Sequence, residues 1–64
     1  MPRDYSEYDL DEPRRILMLN ESGETINIIW ASINFCLWYF ADESMWAIEP
    51  PPEPEVPPGN VGLV

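Results

Sequence analysis

The chain has 64 residues, and its 12 Asp and Glu stand against only three Arg and no Lys, giving a net charge of −9. A chain of this length forms one domain at most and buries only ~60% of the surface its unfolded form exposes. The charge excludes direct binding to nucleic acid or an anionic membrane surface, which basic groups must drive by displacing counterions. The absence of histidine and the single cysteine, Cys36, exclude an internal disulfide and the usual zinc and EF-hand ligand sets, so no cofactor is expected.

Residues 1–13 read as an acidic arm carrying Asp4, Glu7, Asp9, Asp11 and Glu12, closed by Pro13, which biases Glu12 toward extended backbone. Glu7, Asp9 and Asp11 alternate. In an extended chain rising ~3.4 Å per residue their carboxylates project from one side about 7 Å apart. That is close to the spacing of phosphates along a nucleic-acid strand, so the arm is a candidate nucleic-acid mimic, set against the simpler reading of charge that keeps a small apolar protein soluble. The opening MPRDYSEYDL lacks the basic-then-apolar pattern of a signal peptide, and a cytoplasmic chain is expected.

Residues 14–49 carry the fold. RRILML, 14–19, has strand length, and Asn20-Glu21-Ser22-Gly23 suits a type I turn with a left-handed glycine, a common hairpin loop. The Thr- and Ile-rich segment 24–30 completes the hairpin. The run Thr25 to Ala41, TINIIWASINFCLWYFA, then holds seventeen residues without a charge. As a helix it gathers Ile26, Ile29, Trp30, Ile33, Cys36, Leu37 and Phe40 on one arc, while its β-branched and aromatic composition favours strand. Both signals are met by a strand to about Trp30, Ser32 as N-cap and a short helix from Ile33 to Ala41. Asp42-Glu43-Ser44 then turns the chain, and MWAIE makes a last strand before Pro50. The expected fold is α+β, a small ββαβ domain; the alternative is an all-β meander with Ala41 to Ser44 as a second hairpin loop. Buried in either, Cys36 reads as a small hydrophobe.

The Pro-rich tail, 50–64, begins PPPEPEVPP and favours polyproline II, with Pro51, Pro54 and Pro57 on one edge. It bears on a problem the middle leaves open, because some of Ile28, Phe35, Trp38 and Tyr39 must point away from the core. Three covers are available: the tail folded back on Trp38, Tyr39 or Trp46; another protein or a second copy; or lipid. For the last, residues 25–41 as one helix reach ~25 Å, somewhat short of the ~30 Å hydrocarbon core, which defines the alternative function of a small single-span membrane subunit of a larger complex.

An aromatic patch rimmed by charge has the composition of an interface. Trp38, Tyr39 and Trp46 are therefore the expected anchors, with Asp42, Glu43 and Glu49 as their rim and Glu7, Asp9 and Asp11 facing a basic groove. Adjacent carboxylates and no histidine leave no acid-base pair, and an enzyme is not expected. The functional expectation is a small acidic, non-enzymatic binding protein that blocks or modulates a larger protein with a basic surface, homodimer formation being open. Size, acidity and a compact aromatic middle are in the general style of phage-encoded inhibitors of host enzymes, a likeness of type that rests on no aligned motif.

Overall fold

The computed structural model describes residues 3–53. It is a three-stranded antiparallel sheet with one short helix and a 3-10 turn, in the order β1 (Arg14–Leu19), β2 (Thr25–Ala31), α1 (Ile33–Tyr39), the 3-10 turn Glu43–Met45, and β3 (Trp46–Ile48). The strand order is β2-β1-β3, so the chain leaves the hairpin, crosses one face of the sheet through α1 and returns on the far side of β1. This is the expected α+β arrangement with ββαβ order, and among the described residues a helix stands where the alternative meander needs a strand.

Local chemistry sets each boundary. Asn20 accepts the Gly23 N–H at its carbonyl, and its side-chain oxygen accepts from Ser22 N and Glu24 N, so one residue ties the whole loop. Gly23 sits at φ 81°, in the left-handed region that glycine enters without cost. Between β2 and α1 the Ser32 hydroxyl oxygen accepts from Phe35 N at 3.0 Å, as an N-cap should. The helix ends after about two turns: Phe40 leaves helical geometry, although its N–H still reaches the Cys36 carbonyl.

The register decides which side chains meet the helix. Ile16 lies opposite Ile29 on one side and Ile48 on the other, and Met18 opposite Asn27 and Trp46. Since side chains alternate along a strand, these share one face. α1 lays Ile33, Cys36 and Leu37 on it, Phe40 packs there just past the helix end, and Ile16, Ile33, Cys36 and Trp46 are completely buried. Ile26, Ile29 and Trp30, the other members of the helical arc, belong to β2 instead. The uncharged run is thus divided between a strand and a seven-residue helix capped by Ser32, as the strand-then-helix reading expects, with the helix ending at Tyr39 instead of Ala41; the single helix over 25–41 that the membrane alternative requires does not form. Among the described residues no helix is long and apolar enough to cross a membrane.

Position 13 is not a boundary of packing. The acidic segment folds into two tight turns, with Tyr8 N donating to the Tyr5 carbonyl and Glu12 N to that of Asp9. It returns to the core: Tyr5 stacks on Trp46, Leu10 accepts from Asn34 N, and the Arg3 guanidinium donates to the Glu43 and Trp46 carbonyls while lying 4.6 Å from the Trp46 ring. An extended, one-sided row of Glu7, Asp9 and Asp11 is therefore absent. The physical reason is competition: aspartates accept from backbone N–H groups two residues on, as Asp4 does from Ser6 and Asp9 from Asp11, and that favours turns.

Candidate contact surfaces

Helix α1 has a second side. Trp38 and Tyr39 follow the core residue Leu37 and point outward, 79% and 71% exposed. Phe35 joins them, its ring 4.5 Å from that of Tyr39 and 6.0 Å, edge on, from Phe40. Ser32 and Asn34 complete a shallow concavity with these three rings. The nearest acid held there is Asp11, whose carboxylate accepts from Asn34 Nδ2 at 3.4 Å. The patch is thus a cluster of aromatic rings rimmed by amides, a hydroxyl and one carboxylate.

Trp46 does not belong to it. The expectation of an anchor at this position is corrected by its complete burial, which follows from pairing with Met18 on the core face of the sheet. Its indole N–H is satisfied by the Phe40 carbonyl at 2.6 Å, an oxygen at the helix end. The expected rim is likewise dispersed. Glu43 accepts from the Tyr5 hydroxyl at 2.8 Å, Asp42 caps the 3-10 turn through Ser44, and Glu49 pairs with Arg15 at 2.8 Å on the opposite face of the sheet. Glu7, Asp9 and Asp11 remain exposed, Asp11 alone being tied to the aromatic patch.

That opposite face is a second apolar surface. Arg15, Leu17, Ile28, Trp30, Ala47 and Glu49 share it by register. Trp30 is 71% exposed and Ile26 67%. Pro50, Pro51 and Pro52 share a groove with Trp30, Arg14, Arg15 and Glu49, so the described start of the tail runs beside Trp30. The docking of Pro54 and Pro57 considered above falls outside the described residues. Trp30 is the contact candidate that sequence reasoning missed; the alternation through the hairpin, which puts Trp30 out of phase with Ile16 and Ile29, is the signal that reveals it.

Protonation is governed by structure at a few points. Burial, then the Glu43 hydrogen bond, pushes the Tyr5 phenol above its ordinary value. The Ser44 hydroxyl and N–H hold Asp42 below the usual carboxylate value, and the Ser6 N–H and hydroxyl do the same for Asp4. Burial alone raises the Cys36 thiol, which suits a packed side chain and opposes a thiolate nucleophile. Each shift has a structural cause in a turn, a cap or the core. No protein-family model matches the chain, and no curated protein or solved structure matches it.

Proposed function

We propose that the chain is a small acidic binding protein that works in the cytoplasm without catalysis, blocking or modulating a larger protein through the Phe35, Trp38 and Tyr39 patch. The observation that carries this reading is the exposure of Trp38 and Tyr39 side by side on a helix whose other face is fully used by the core. Large rigid aromatics give much contact area for little lost side-chain entropy, and Trp and Tyr dominate binding hot spots. A net charge of −9 favours a partner with a basic face and speeds encounter with it. A protein whose basic groove normally holds nucleic acid fits that description. With the acidic segment folded into turns, Glu7, Asp9 and Asp11 contribute charge to such an encounter without copying phosphate spacing.

The test is differential capture. The full chain and the double variant Trp38→Ala/Tyr39→Ala, both checked for native circular dichroism, are immobilised and exposed to the same host lysate. A protein retained by the native chain and lost from the variant, with affinity that falls as salt rises, supports the reading. Equal retention by both, or nothing retained by either, overturns it.

A further inference from the structure

β2 is an edge strand. Only β1 pairs with it among the described residues, so one side of its backbone is open. The direction of that backbone follows from one hydrogen bond and the register. Glu49 N donates to the Arg15 carbonyl, which turns the Arg15 backbone toward β3 and away from β2. Backbone direction alternates along an antiparallel ladder, so Arg15 with Trp30, and Leu17 with Ile28, are the pairs that exchange no hydrogen bonds. The N–H and C=O groups of Ile28 and Trp30 therefore face the free edge. The Ile28 N–H is met only by the side chain of its neighbour, Asn27 Oδ1, at 2.9 Å, a local substitute for a missing strand.

Edges of this kind are usually blunted by charge, proline or shortness. β2 has seven residues, Thr25–Ala31, with no charge and no proline. The last residues of β2, Ile29 to Ala31, line a groove of about 530 Å³ together with Ser32, Phe35, Phe40, Pro13 and Asp11. A strand added to β2 would hold its backbone against Ile28 and Trp30 and send alternate side chains into the groove, against Phe35 and Phe40, and across the open sheet face beside Trp30. Strand addition of this form takes its affinity from main-chain hydrogen bonds and its specificity from pockets for alternate side chains.

We infer that the groove between the β2 edge and α1 is a peptide-binding site, whose occupant is an extended segment of a partner protein with alternating apolar residues and a Lys or Arg placed to meet Asp11. Charge selects this occupant. A second copy brings another −9 charge and a β2 without a basic residue, and residues 54–64 of the same chain bring Glu55 and prolines at 54, 57 and 58 that cannot donate to a ladder. The site shares Phe35, Ser32 and the Asp11 carboxylate with the rim of the patch but does not use Trp38 or Tyr39, and the inference stands or falls without those two rings.

The probe is a displayed library of random peptides of strand length, selected on the immobilised full chain. The expected winners alternate β-branched or aromatic residues with small or polar ones and carry Lys or Arg. A synthetic winner shifts the backbone amide resonances of Ile28 and Trp30, slows hydrogen exchange at Ile28, binds about tenfold more weakly to Asp11→Lys, and binds Trp38→Ala/Tyr39→Ala unchanged. No enrichment, or winners that leave the β2 amides unmoved, overturns the site. Exchange at Trp30, whose N–H faces the free edge, already slow in the free chain overturns the occupant: protection that grows with concentration assigns the edge to a second copy, and protection independent of concentration assigns it to the chain's own tail.

Discussion

The ring of Tyr5 lies on that of Trp46, their centroids 6.3 Å apart and their planes 12° from parallel, while its hydroxyl reaches Glu43. One residue of the acidic segment thus covers the largest side chain of the core and ties itself to the turn preceding β3. In a domain this small, whose total stability is of the order of 3 to 10 kcal/mol, that cover matters. Tyr5→Ala should cost about 2 kcal/mol through lost ring burial and the lost hydrogen bond. Urea denaturation followed by tryptophan fluorescence checks this. An unchanged midpoint would show that the acidic segment is not part of the fold.

The same contact predicts alkaline behaviour. The folded Tyr5 phenol has its pKa raised above the ordinary 10.0 by burial and by Glu43. A raised folded pKa means the neutral form is favoured by the fold, so its contribution is complete below pH 10 and is lost as pH rises through the folded value. Stability should therefore fall on that alkaline limb, and Tyr5→Phe, about 1 kcal/mol less stable near neutrality, should fall less. Denaturation midpoints across the alkaline range, with tyrosinate absorbance recorded alongside, make the comparison. Parallel declines for both proteins would contradict it.

Acid acts with the opposite sign. Asp42 and Asp4 are held below the ordinary 3.8 by Ser44 and Ser6 respectively. Their stabilisation is present above that value and is lost as pH falls through the lowered folded values. Ser44→Ala removes the largest cause at Asp42, and carbon-detected titration of the carboxylates should show Asp42 moving up toward 3.8 while Asp4 stays. An Asp42 titration identical to that of the native chain would place the cause elsewhere.

The three tryptophans should separate by substitution. Trp46→Ala opens a large cavity under the sheet, costs about 3 to 5 kcal/mol and leaves little folded protein. Trp38→Ala, on the exposed helix face, should change stability by no more than about 0.5 kcal/mol. Thermal denaturation by circular dichroism distinguishes them. Equal losses would mean that Trp38 is covered in the folded chain.

Gly23→Ala isolates backbone strain, because a Cβ there meets nothing within 4 Å and the cost comes from φ 81° alone. The expected loss is about 1 to 2 kcal/mol, with Gly23→Asn closer to the native chain, since Asn tolerates left-handed backbone. Equal stability of all three proteins would argue against the turn as described.

Much of this fold is legible in residue order. The hairpin follows from Asn20 and Gly23 between two apolar runs, and Ser32 marks the change from period two to period 3.6 inside a run with no charges. The acidic segment was harder to read because Tyr5 and Tyr8 are scattered among carboxylates, and a solvated charge run looks the same whether or not its aromatics fold back. The division of labour among the tryptophans is harder still. Trp46 is buried and Trp30 exposed because of how β3 and β2 register against β1, and register belongs to the assembled sheet. The rim of Asp42, Glu43 and Glu49 dissolved for the same reason: each carboxylate found a nearby donor in Ser44, Tyr5 or Arg15 before it could serve a patch elsewhere.

The most direct measurement of the binding claim is the affinity of the captured partner for the native chain and for Trp38→Ala/Tyr39→Ala, by equilibrium titration on proteins of matched circular dichroism. Paired aromatic anchors at an interface predict a weakening of at least about thirtyfold in the variant, the equivalent of roughly 2 kcal/mol. Equal affinities would contradict the account and leave the outer face of α1 without a role in binding.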